Sequence, residues 1–111
     1  MAAGKAKGRH LQKWVRDLLL SLFPSLEDGD IRSTAMGQSG EDIQLSPAAR
    51  KQIPLSIECK SYAKIAVYAW YQQASQNCPK NAEPIVVMKA DRQKPLVLVD
   101  AEWFFKRIQD E

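Results

Sequence analysis

The stretch Leu55-Ser56-Ile57-Glu58-Cys59-Lys60 constrains the fold of this chain more than any other. Leu55 and Ile57 alternate with Ser56 and Glu58, the two-residue period of a strand that buries one face and turns the other to a cleft. Glu58 and Lys60 therefore share a face, about 6 to 7 Å apart along the strand, and Cys59 points to the opposite one as a small core group. A carboxylate and an ammonium group at that separation can act on one water or one phosphate. Upstream, Gly40-Glu41-Asp42-Ile43-Gln44-Leu45 brings a second carboxylate to the place where a turn passes into another strand. If the two strands are hairpin neighbours, Asp42 sits beside Glu58. The plainer readings are an ion pair on a solvated sheet face for Glu58 and Lys60, and a turn residue for Asp42. Glu41 competes as a ligand but points away from the face that Asp42 uses.

The rest of the chain supplies elements to cover such a strand. Residues 1–7 read as a flexible basic arm and 8–111 as a single domain. From Gly8, the positions Leu11, Trp14, Val15, Leu18, Leu19 and Leu22 recur at three- and four-residue intervals, an amphipathic helix that Pro24 ends. Asp30 to Ser33 begins a strand, Met36 to Gly40 is a loop close to the site, and Ser46 to Gln52 is the mobile connection of a long hairpin. A helix follows from about Ile65 to Asn77, and its Tyr68, Trp70 and Tyr71 cannot all face one side. Ile85–Met88 and Leu96–Val99 are continuous apolar runs of strand length joined by a turn-like segment, and Asp100 is placed to cap a last helix carrying Trp103, Phe104 and Ile108. The order α-β-β-β-α-β-β-α predicts an α/β fold, a central mixed five-stranded sheet flanked by helices. A chain of 111 residues is long enough to bury such a core without disulfide staples.

Composition narrows the function classes. No apolar run approaches the ~18 residues of a membrane span, and the basic start lacks the apolar stretch of a secretory signal. An intracellular, cytoplasmic protein without a membrane partner is expected. The net charge of +3 is mild, but Lys5, Lys7, Arg9, Lys13 and Arg16 crowd the first segment, where Asp17 is the only acid. That cluster is either a solvated helix face or a phosphate contact. Cys59, Cys78 and His10 cannot build a structural zinc site, and both thiols read as free. Asp42 and Glu58, by contrast, offer hard anionic oxygens suited to Mg²⁺ or Mn²⁺. Held together, they raise each other's pKa until a cation arrives. Lys60 would orient or help deprotonate a water and steady the charge on a phosphate.

The Asp, spacer, Glu-x-Lys pattern, taken with KGRHLQKWVRDLL, RSTAMGQSGEDIQL, LSIECKS, WYQQA and PIVVMKADRQKPLVLVD, resembles the PD-(D/E)XK nuclease superfamily. Within it the chain looks like the archaeal and phage-type Holliday-junction resolvases, from about Lys7 to Ile108. The resemblance implies a restriction-endonuclease-like sheet and a metal site in which the main-chain carbonyl of Cys59 joins Asp42 and Glu58. Gln12 stands where the resolvase pattern usually carries a helix-one glutamate; an amide there would reach the metal only through water and adds no charge. The family's second helix has a glutamine near the scissile phosphate, which Gln73 matches unless it is an exposed helical amide. Arg32 and Ser33 match a basic-plus-hydroxyl pair before the acidic loop. Tyr62 and Lys64, just past the motif, and Arg9 join them as DNA contacts.

The implied activity is that of a Mg²⁺- or Mn²⁺-dependent endodeoxyribonuclease cutting branched DNA as a homodimer, in recombination or repair. One alternative keeps the fold and changes the substrate: a nicking, repair or DNA-degrading nuclease, virus-encoded or phage-borne. The other is a nucleic-acid-binding module whose catalytic shell has decayed, with Gln12 as the visible symptom.

Overall fold

The computed structural model describes residues 2–34, 40–61 and 66–109. Helix α1 (Ala2–Leu22) leads through a single 3₁₀ turn to β1 (Ile31–Ser33) and β2 (Ile43–Leu45). Then come α2 (Pro47–Gln52), β3 (Leu55–Ser61), α3 (Val67–Gln76), β4 (Glu83–Lys89), β5 (Leu96–Leu98) and α4 (Ala101–Gln109). The strands form one five-stranded sheet in sequence order. β1 pairs antiparallel with β2 and β2 with β3, β3 and β4 are parallel, and β5 returns antiparallel to β4. The parallel step requires a crossover, and α3 supplies it. This is the mixed, helix-flanked five-stranded α/β sheet expected from the order of elements.

The pleat decides which helix covers which side chain. Ile57 and Cys59 of β3, paired with Ile85 and Val87 of β4, share one buried cluster with Leu11 and Val15 of α1 and with Ile31 and Ile43. Each such aliphatic side chain contributes roughly 1.5 to 3 kcal/mol by leaving water. Glu58 and Lys60 pair with Val86 and Met88, so they belong to the opposite face. That face is covered by α3, which packs over β3 and β4.

Two segments differ from the sequence reading. α1 begins at Ala2, not Gly8, and takes in residues expected to form an arm; alanines and lysines are among the best helix formers. Ser46 to Gln52, expected as a mobile hairpin connection, holds α2 instead. The Ser46 hydroxyl accepts the Ala49 N–H at 3.1 Å, and Pro47 takes the first helical position, where its missing N–H leaves no bond unmade. Elsewhere the local signals coincide with the elements. Asp100 accepts the Trp103 N–H at 2.8 Å at the start of α4, and Tyr68 is 88 % exposed beside the half-buried Trp70 and Tyr71. Most of the loop expected at Met36 to Gly40 lies outside the described residues. Among the described residues, no helix is long and apolar enough to cross a membrane.

Candidate functional site

β2 begins at Ile43, and on the near side of it the strands part. Asp42 is the first residue beyond the β2 ladder: its N–H donates to the Ile57 carbonyl at 3.2 Å, and its carboxylate accepts the Cys59 N–H at 2.8 Å. A side chain thus takes the place of a strand partner for Cys59. In a strand, the N–H and C=O of one residue lie along the same edge, so the Cys59 carbonyl faces the Asp42 side as well. The turn is set from behind. Thr34, buried at the end of β1, donates its N–H to the Asp42 carbonyl at 2.8 Å and its hydroxyl to the Glu41 carbonyl at 2.6 Å. Gly40 adopts φ +95°, a conformation that a side chain disfavours.

On the α3 face, the Lys60 ammonium lies 3.3 Å from Glu58 Oε2, and Glu58 is only 4 % exposed. Both carboxyl groups sit above the usual carboxylate range. For Asp42 burial is the cause, offset by the Cys59 N–H, by Lys60 and by a hydrogen bond with Glu58. Glu58 is raised by burial and then by the charge of Asp42, and Lys60 opposes both. The structure therefore brings Asp42, Glu58, Lys60 and the Cys59 main chain into one coupled group. The Cys59 thiol is pushed up by burial and by the two neighbouring carboxylates, which leaves it a core group and no nucleophile.

The donor set suits a hard divalent ion. Among the described residues, no three His, Cys, Asp or Glu side chains converge on one point. Asp42 and Glu58 are the two carboxylates on hand, and further ligands would be a carbonyl, an amide or water, the mixture Mg²⁺ accepts. A cation between them would relieve the repulsion that now raises Glu58.

The remaining expected residues are scattered. Gln12 is 5 % exposed, on α1 and hence over the face of Ile57 and Cys59. Gln73 is exposed on α3, and Arg32 and Ser33 are exposed on β1, at the edge of the sheet with β2 between them and β3. Arg9 is exposed on α1. Tyr62 and Lys64 lie outside the described residues. Glu41 turns away from Asp42 to an ion pair with Arg50 of α2 at 2.7 Å, both side chains largely buried. Its other oxygen, Oε2, is buried with no hydrogen-bond partner among the described residues. Nothing in the spacing of Glu41 and Arg50 announces this pair, because it forms only when α2 folds back against β2 and the 3₁₀ turn.

A mixed five-stranded sheet between helices is shared by many superfamilies, the PD-(D/E)XK nucleases among them. Comparison of the chain with protein-family models, with curated proteins and with solved structures found no match.

Proposed function

We propose that the chain is a divalent-cation-dependent endodeoxyribonuclease of the PD-(D/E)XK type, acting on branched DNA as a homodimer. The observation that carries this reading is the coupled group at the parting of β2 and β3: a buried and a half-buried carboxylate sharing their charge with one lysine and one main-chain unit. An ion pair on a solvated sheet face has no need of a second carboxylate, and it does not hold both acids above their ordinary range.

In this reading Asp42, Glu58 and the Cys59 carbonyl would hold Mg²⁺ or Mn²⁺, while Gln12, on the other face of the sheet, would stay outside the shell. The ion would neutralise charge on the phosphoryl group and sharpen a water as nucleophile. Lys60, tethered by Glu58, would orient that water and steady the charge that builds on the non-bridging oxygens. The Cys59 N–H fixes the Asp42 carboxylate, so one of the two acids is oriented before any ligand arrives. Arg9, Arg32, Ser33, Tyr62 and Lys64 are proposed to touch the DNA backbone, which sets register and not sequence, and Gln73 to approach the scissile phosphate. Cutting both strands of a four-way junction requires two such sites related by a two-fold axis.

The test is one gel. Supercoiled plasmid, linear duplex and a synthetic four-way junction are incubated with Mg²⁺, Mn²⁺ or EDTA. Metal-dependent scission is expected, lost in Glu58→Ala and Lys60→Ala, with DNA affinity kept within about tenfold, or roughly 1.4 kcal/mol. Cleavage retained in either variant would refute the site. Preference for linear or plasmid DNA over the junction would favour the nicking or degrading alternative. The uncharged amide of Gln12 favours a second reading, a binding module without catalysis; it requires DNA binding indifferent to EDTA and no scission with either metal.

A further inference from the structure

We propose that the turn between β4 and β5 grips the backbone of the bound DNA strand beside the cut, with Arg92 and Lys94 on its phosphates. The inference rests on the reading of the chain as a DNA-cutting protein and names the segment that holds the substrate next to the reacting phosphate. Lys89, Arg92 and Lys94 crowd this stretch, where Asp91 is the only acid.

The sheet register places the turn on the side of the site. Lys60 pairs with Met88, and Met88 in turn pairs with Leu96, so these three side chains lie in one row on the α3 face. Lys60 is the last residue but one of β3, as Met88 is of β4, and the turn therefore leaves the sheet at the end where Lys60 stands. Its side chains reach the same face: Gln93 and Lys94 share a cleft of about 210 Å³ with Trp70 of α3, Met88 and Leu96. Two strand spacings, from Lys60 to Leu96, come to about 10 Å, the axial rise of about three nucleotides. A DNA strand that crosses the sheet from Lys60 toward β5 meets the turn within that distance.

The backbone of the turn is a second, independent observation. The Gln93 N–H donates to the Ala90 carbonyl at 3.2 Å, which closes a four-residue turn, and Arg92, the third of the four, has φ +63°. Among the described residues it is the one residue other than glycine with a positive φ. Turns that need this conformation at their third position take Gly or Asn there, which bear it with little strain. Arg92 is exposed, so packing does not compensate the strain, and the guanidinium itself is what the position offers. Among the described residues neither Arg92 nor Lys94 makes a hydrogen bond or ion pair through its side chain, whereas the guanidinium groups of Arg16 and Arg50 are engaged within the fold. Two unengaged cations on a short turn suit a nucleic-acid backbone, where each neutralised phosphate releases counterions and adds affinity. A guanidinium can also take two phosphate oxygens at once.

The experiment measures the affinity of the full chain, in EDTA, for a labelled four-way junction over a range of salt concentrations. Arg92→Gly is expected to weaken binding by about eightfold near 0.1 M salt and to make the plot of log affinity against log salt shallower by about 0.9, the loss of one phosphate contact. Its melting temperature should stay at or above that of the wild type, because glycine accepts the positive φ. Arg92→Lys keeps the charge and should retain most of the affinity, and Lys94→Ala should repeat the loss. Lys80→Ala is the control: Lys80 is also exposed but lies ahead of β4, at the opposite end of that strand, and its loss should change binding by about twofold or less. Equal weakening by Lys80→Ala and Arg92→Gly would reduce the effect to net charge and overturn the inference, as would unchanged affinity in Arg92→Gly or Lys94→Ala, or a wild type that does not bind the junction. Scission by wild type and by Arg92→Gly with equal junction affinities would sink the turn contact and leave the nuclease reading standing. A wild type that never cuts, but loses affinity with Arg92→Gly and not with Lys80→Ala, would do the reverse.

Discussion

At the scale of single residues, the coupled acid pair links stability to protons and to metal. Asp42 and Glu58 have ordinary values of 3.8 and 4.5 and are raised in the folded chain, so above those values the native state binds more protons than the unfolded one. Stability must then fall as pH rises through the raised values. In EDTA, the melting temperature is expected to climb as pH is lowered from neutrality toward the carboxylate range, until general acid unfolding intervenes. Glu58→Gln removes one of the two charges. It should raise the metal-free stability at neutral pH by about 1 kcal/mol, the usual size of a gain at a functional position, flatten the pH dependence and abolish scission. Mg²⁺ should stabilise the wild type by mass action and leave the variant unmoved. Thermal melts in EDTA and in Mg²⁺ decide the matter, and a wild type whose melting temperature ignores both pH and Mg²⁺ would contradict the coupling. The alternation around Ile57 made Glu58 and Lys60 legible as face-mates, and the turn at Gly40 put Asp42 within reach. The Cys59 N–H held by Asp42 was not legible, because it depends on where β2 begins, and periodicity cannot fix a strand end to one residue.

At the scale of elements, α2 shows why short helices escape a reading by pattern. Six residues span fewer than two turns, so Pro47–Gln52 has no apolar period to detect, and the proline invites a loop. The usable signal was Ser46-Pro47, a cap followed by the one helical position that proline favours. This cap also ties the helix to the 3₁₀ turn: the Ser46 hydroxyl donates to Asp30 Oδ1 at 2.6 Å, and the Ser46 N–H donates to the Asp30 carbonyl at 2.9 Å. Since α2 carries Arg50, and Arg50 holds Glu41 next to Asp42, the cap supports the site at one remove. Ser46→Ala should cost about 1 kcal/mol of unfolding free energy, measured by urea denaturation, and should slow cleavage while leaving metal affinity within about twofold. A denaturation midpoint equal to wild type would show that the helix does not depend on its cap. The long elements were easier to read, because α1 and the runs in β4 and β5 repeat their signals often enough to survive errors at the ends.

At the scale of the whole molecule, the last two elements leave an apolar surface that one copy of the chain does not cover. β5 is the outer strand of the sheet, and Leu96 and Val97 on it are exposed, as are Phe104, Phe105 and Ile108 of α4. An outer strand offers unpaired main-chain groups to a partner, and one that is short and apolar is suited to meet its own copy about a two-fold axis, where each contact is made twice. The proposed function asks for such a partner, since two cuts in a junction need two sites facing opposite strands. Val97→Lys and Phe105→Asp are each expected to convert the protein from dimer to monomer in sedimentation velocity without lowering the melting temperature of the monomer, because both side chains are already in water in the single chain. On a four-way junction these variants should leave single nicks where the wild type makes paired cuts, while plasmid nicking per site stays within about twofold. A wild type that sediments as a monomer at concentrations where it makes paired cuts would separate resolution from this surface, and would require the two incisions to come from successive encounters.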